Sequence, residues 1–95
     1  MYMRKRAARR VYVRVSSDFD SSGYMQPRSI TWADGRTFRI DAIRDFRPAV
    51  SPERGPTDRY TVVIHGEERY LYFEKTGDAF ACRVGRWYVE TGSPI

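Results

Sequence analysis

Ser29–Ile40 reads SITWADGRTFRI. Ile30 and Trp32 alternate with polar neighbours, Asp34-Gly35 is a pair that tolerates positive φ, and Phe38 and Ile40 alternate on the return. That is the pattern of a β-hairpin. Downstream, DAIRDFRPAV places Ile40, Ala42, Ile43 and Phe46 out of strict period two, which predicts a bulged and strongly bent strand of the kind that closes a small barrel. SPERGPTD, with two Pro and a Gly in eight residues, reads as a loop.

Two further hairpins follow the same rule. Tyr60, Val62 and Ile64 alternate up to a turn at His65-Gly66, and Arg69, Leu71 and Phe73 alternate on the way back. Phe80, Cys82 and Val84 run to a predicted turn at Gly85, and Trp87 and Val89 return. Upstream, Val11, Val13 and Val15 alternate with Tyr12 and Arg14 as a first strand. SSDFDSSGYMQP then reads as a long loop, with Phe19, Tyr24 or Met25 folding back on the core. The expected architecture is all-β, a small antiparallel barrel or roll of six to seven strands in one domain over residues 11–95.

The charge is unevenly placed. The chain has 95 residues, 17 basic and 12 acidic, for a net charge of +5. Arg4, Lys5, Arg6, Arg9 and Arg10 lie in the first ten residues with no acid among them. Twelve basic and twelve acidic residues remain in 11–95, so the body is neutral and residues 1–10 form a basic N-terminal arm. Three readings of that arm stand side by side: a solvated tail, a set of phosphate contacts for nucleic acid, or a docking segment. No apolar run approaches the roughly 20 residues that span a bilayer, and no apolar stretch follows the basic start, so a cytoplasmic location is expected.

Candidate chemistry is sparse. His65 is the single His and falls in a turn; Cys82 is the single Cys and is in phase with the apolar residues Phe80 and Val84. A structural zinc site needs four such ligands, and the seven Gly are scattered rather than gathered into a phosphate loop. Asp18 and Asp20 lack the rest of a cation-binding loop. Asp41, Asp45, Glu67 and Glu68 lie among Arg residues and read as surface ion pairs. No cofactor, metal or catalytic residue is expected.

One surface stands out. If the apolar sets point inward, the opposite face of the sheet carries Tyr12, Arg14, Tyr70, Tyr72, Arg83 and Tyr88. Aromatics interleaved with Arg suit a protein interface, and they also suit single-stranded nucleic acid, whose bases stack on rings. A plain exposed strand surface would look the same.

The hairpin motif, the R-P-A that follows, R-Y-T-V-x-I and a closing W-[FY]-V-E together resemble a group of short, uncharacterised bacterial proteins that carry W-x-D-G-x-x-[YF]-x-I. The matching residues are Trp32, Asp34, Gly35, Phe38, Ile40, Arg47, Pro48, Ala49, Arg59, Tyr60, Thr61, Val62, Ile64, Trp87, Tyr88, Val89 and Glu90. The resemblance spans residues 26–90, implies a small β-rich fold and brings no activity with it. The expected protein is a non-enzymatic bacterial binding module. Its partner is another protein or a second copy, with nucleic acid, held by the arm and the Tyr/Arg face, as the alternative.

Overall fold

A computed structural model describes residues 9–19, 21, 25–49, 52–75 and 85–91. Seven strands form one curled, antiparallel sheet: β1 Arg9–Phe19, β2 Met25–Thr31, β3 Thr37–Arg39, β4 Ala42–Arg47, β5 Thr57–Ile64, β6 Glu67–Lys75 and β7 Gly85–Thr91. Pro52–Arg54 makes a single 3-10 turn. The spatial order is β3-β2-β1-β7-β6-β5-β4. The all-β expectation holds, and no helix among the described residues is long and apolar enough to cross a membrane.

The sheet curls because β1 serves two neighbours in turn. Its first half, Arg9 to Val13, pairs with β7, and its second half, Arg14 to Phe19, pairs with β2. On the far side the chain passes directly from β3 to β4. There the Ile40 N–H donates to the Arg28 carbonyl and the Asp41 N–H to the Val63 carbonyl, both at 2.8 Å. Residues 40 and 41 thus tie β2 to β5 and fold the two ends of the sheet toward each other.

Local sequence explains each turn. Asp34 accepts the Arg36 N–H at 3.0 Å and the Arg36 Nε at 2.7 Å, and Gly35 adopts φ +91°, so Asp34-Gly35 reverses the chain between β2 and β3. His65 and Gly66 have φ of 53° and 78°, the two consecutive positive values that a tight two-residue hairpin requires. The expected bulge in β4 falls between Ile43 and Asp45. It shifts the phase so that Ile43, opposite Val62, and Phe46, opposite Tyr60, both face inward although they are three residues apart.

The enclosed face buries Ile30, Ile40, Tyr60, Val62, Ile64, Leu71, Phe73 and Trp87, with Val13, Val15, Met25, Phe38, Ile43 and Val89 packed against them. Each fully buried side chain of this kind contributes about 1.5 to 3 kcal/mol. Asp58 is buried beside this core, where it accepts the Ala49 N–H at 3.1 Å and pairs with Lys75 at 3.2 Å, fixing the loop before β5.

Three local expectations are corrected. Ser16–Phe19 and Met25–Pro27 are strand, not loop: they form the far end of the β1–β2 ladder, with an irregularity at Ser16/Ser17. Gly85 is not a turn residue. It opens β7 opposite Lys75, and a Cβ there would meet the Glu74 carbonyl oxygen at 2.5 Å and the Phe73 ring at 2.6 Å. Strand β1 begins at Arg9, so Arg9 and Arg10 belong to the sheet, opposite Thr91 and Glu90, rather than to an arm. Phe80, Cys82 and Val84 lie outside the described residues.

Gly35→Val forces a β-branched residue into φ near +90°, a strain of about 1 to 3 kcal/mol. The expected result is a melting temperature lower by several degrees than that of the parent protein, read by circular dichroism.

Candidate functional site

The Tyr/Arg surface is assembled by register. Arg47, Arg59, Tyr72, Tyr88 and Tyr12 stand directly opposite one another across β4, β5, β6, β7 and β1. Side chains opposite one another on one face lie close enough for rings to touch. Tyr72 and Tyr88 stack at 4.9 Å and 14°, Tyr12 meets Tyr88 edge-on at 5.6 Å, and Tyr70 meets Tyr72 edge-on at 6.4 Å.

The protein's own arginines cover these rings. Arg10 lies over Tyr88 at 4.7 Å, Arg86 over Tyr12 at 4.4 Å and Arg59 over Tyr70 at 4.3 Å. Glu74 then locks the cover: it pairs with Arg10 at 3.1 Å and Arg86 at 3.2 Å and accepts the Tyr12 hydroxyl at 3.1 Å. The hydrogen bond to Tyr12, with Glu74 and Tyr88 nearby, holds the Arg10 guanidinium above its ordinary range. Tyr88 is fully buried and Tyr72 is 4% exposed, so the outer face of the sheet carries a second, smaller core.

The expectation of an open aromatic face is therefore met only in part. Tyr12 and Tyr70 are exposed, whereas Tyr72 and Tyr88 present no ring face to a ligand. Arg14 is exposed at the start of the β1–β2 ladder and has no acidic partner among the described residues. Arg10 is committed to Glu74 and Tyr88. Arg83, Arg4, Lys5 and Arg6 lie outside the described residues, as do Cys82 and Asp20.

A groove that the sequence reading did not single out lies at the open side of the sheet. It has a volume of about 410 Å³ and is lined by Met25, Pro27, Ile40, Ala42, Ile43 and Phe46, with Gln26, Arg28, Asp41 and Tyr60 completing the wall. It exists because β2 and β4 converge at Ile40-Asp41 and then diverge without pairing: among the described residues Met25–Arg28 pairs only with β1, and β4 only with β5. The Tyr60 hydroxyl spans the floor and donates to the Met25 carbonyl at 3.2 Å, and Phe46 packs on the Tyr60 ring at 4.9 Å. Phe46 is 37% exposed, and Phe19, the β1 partner of Met25, is 64% exposed.

The arginines of β2 and β4 beside the groove are already paired. Arg28 contacts Asp18 at 3.0 Å, Arg47 contacts Asp45 at 3.0 Å and Arg44 contacts Glu68 at 3.9 Å. Asp41 accepts the His65 N–H at 3.2 Å. The hydrogen bond from Arg47 holds the Asp45 carboxyl below its ordinary range, so this pair stays charged. His65 is exposed in its turn with its ring edge-on to Phe38 at 5.9 Å. No group of three His, Cys, Asp or Glu among the described residues could hold a metal ion.

Comparison with protein-family models, with curated proteins and with solved structures returns no match.

Two outcomes follow from these contacts. Glu74→Ala leaves Arg10, Arg86 and Tyr12 without their shared acceptor and uncovers Tyr88, so a loss of about 1 to 3 kcal/mol is expected in urea unfolding with an unchanged slope. Glu67→Ala, which removes an exposed pair with Arg69, shifts the midpoint by less than about 1 kcal/mol. Burial, with Asp58 nearby, pushes the Tyr60 phenol up to about 12. Because the folded value is the higher one, this contribution to stability is complete below about pH 10 and is lost as pH rises toward 12. Absorbance titration should show one tyrosine ionising late, and Tyr60→Phe should remove that step.

Proposed function

We propose that this protein is a non-enzymatic binding module whose partner is another protein, and that the partner contacts the groove between β2 and β4. The observation that carries this reading is the groove itself. It is a concavity of mixed polar and apolar lining with Phe46 exposed in its wall and Phe19, the β1 partner of Met25, exposed on the neighbouring strand. Exposed apolar surface of this kind beside a concavity marks interaction sites. The Tyr/Arg face supports an interface less well, because Glu74 and three arginines already occupy its rings.

One observation favours nucleic acid as a second reading. Arg14 and Arg39, on β1 and β3, are exposed and have no acidic partner among the described residues, while Ser29 and Thr31 stand opposite Arg39 and Arg14 on the strand between them. Arginines so placed suit phosphate contacts, to which Arg4, Lys5 and Arg6 would add charge.

Selection from a phage-displayed library of random linear peptides separates these readings. Enrichment by the parent protein and by Tyr70→Ala, lost in both Phe46→Glu and Ala42→Arg, is the expected result. The two groove variants change exposed or half-exposed side chains, and circular dichroism checks that both remain folded. Loss in Tyr70→Ala with retention in the groove variants would move the contact to the Tyr/Arg face. In parallel, anisotropy of labelled single-stranded and duplex oligonucleotides is titrated across a salt series. Steeply salt-dependent binding that weakens in a protein starting at Arg9 would favour the second reading.

A further inference from the structure

We infer that the occupant of the groove is an extended segment of another protein, free of acidic side chains and with apolar side chains at alternate positions, which adds to β4 as an eighth strand and fills the gap in the curled sheet. This rests on the groove being the contact site and goes further in naming what it takes.

Backbone chemistry supplies the first half of the argument. An edge strand leaves alternate N–H and C=O groups pointing away from its only neighbour. On β4 those groups point toward β2, across the groove. The hydrogen bonds at Ile40 and Asp41 hold one end of the gap shut and leave the Met25 and Phe46 end open. A ligand lying there meets main-chain donors and acceptors along β4 and apolar side chains beneath. An extended peptide answers both: its backbone pairs with the edge while alternate side chains enter the pocket formed by Met25, Ile43, Phe46 and Tyr60.

Charge supplies the second half. Arg28 is balanced by Asp18, while Asp41, which lines the groove, keeps its negative charge, its contact being the uncharged His65 N–H. An acidic strand would meet that carboxylate and lose hydration on entry. A strand without acidic side chains meets no such repulsion. A second copy of this chain is a poor occupant, since its described edges are the three-residue β3 and the same bulged, charged β4. A regular strand from another protein has neither handicap.

The test uses a peptide enriched by the full chain and synthesised as a series with one backbone N-methyl group at each position in turn. Strand addition predicts alternation: methylation weakens binding about tenfold or more at every second residue and little at those between, because only alternate N–H groups face β4. For an enriched peptide without charged side chains, affinity should change by less than about twofold between 50 and 500 mM salt. Enrichment that Phe46→Glu abolishes, combined with an N-methyl scan lacking alternation, overturns strand addition and leaves the groove as the contact site. Failure of the parent protein to enrich any peptide over Phe46→Glu overturns both.

Discussion

The corner at Ile40-Asp41 is the constraint on which the rest of this fold depends. Two consecutive N–H groups donate in different directions, one to β2 and one to β5, so two adjacent peptide units join strands that each lie one place in from an edge of the seven-strand sheet. Without that corner the sheet would be open, with Ile30, Ile40 and Ile43 facing water. With it, the sheet wraps over its own side chains and the core becomes enclosed. The corner also sets the shape of what remains open, because two strands pinned at one point and paired with different neighbours must diverge away from it. Curvature, core and groove are therefore consequences of one local arrangement. The bulge in β4 lets the strand leaving the corner keep both Ile43 and Phe46 turned inward.

The outer face shows how the same residue types can serve packing or recognition. Tyr and Arg interleaved on a strand surface fit a ligand platform when the rings are bare. Here the side chains of Arg10, Arg86 and Arg59 lie over the rings, and Glu74 pairs with two of them while its own side chain is mostly buried. Cation–π contact and shared ion pairing let charged residues cover apolar rings without exposing them. Strand β5 is covered on both faces and reads as a nearly continuous buried strand, whereas Glu67–Tyr70 at the start of β6 is exposed.

Much of the fold was legible in the residues, and the misses share a cause. Period-two alternation located β5, β6 and the hairpin of β2 and β3, and the turn chemistry of Asp34-Gly35 and His65-Gly66 placed the reversals, since these signals depend only on neighbours in sequence. Ser16–Phe19 and Met25–Pro27 were missed because the outward side of that ladder is solvated, and Ser, Asp and Gln on a wet strand look like loop residues. Gly85 was misread because its need is for space against Phe73, which lies twelve positions earlier in the chain. The burial of Tyr72 and Tyr88 was hidden for the same reason: alternation tells which side a ring takes, but not that Arg10 of β1 covers Tyr88 and is held there by Glu74 of β6. The groove had no signal of its own. It is the gap between strands that do not pair, and no run of residues encodes an absence of pairing.

Edge strands invite unwanted pairing, and this sheet limits that at both ends. β3 is three residues long, and β4 carries a bulge, three charged residues in six and Pro48 just beyond it. Such features deter flat edge-to-edge association. They make the apolar surface beside β4 harder to explain as an accident, since a chain shaped only to stay monomeric would have no reason to keep Phe46 and Phe19 exposed next to a guarded edge. On the proposed reading, the charges on the strand and the apolar side chains in the groove act on different ligands. The first would repel a broad hydrophobic surface, while the second would accept a narrow segment that reaches between β2 and β4. A guarded edge beside such a groove would then select by shape, admitting one extended strand and excluding a sheet.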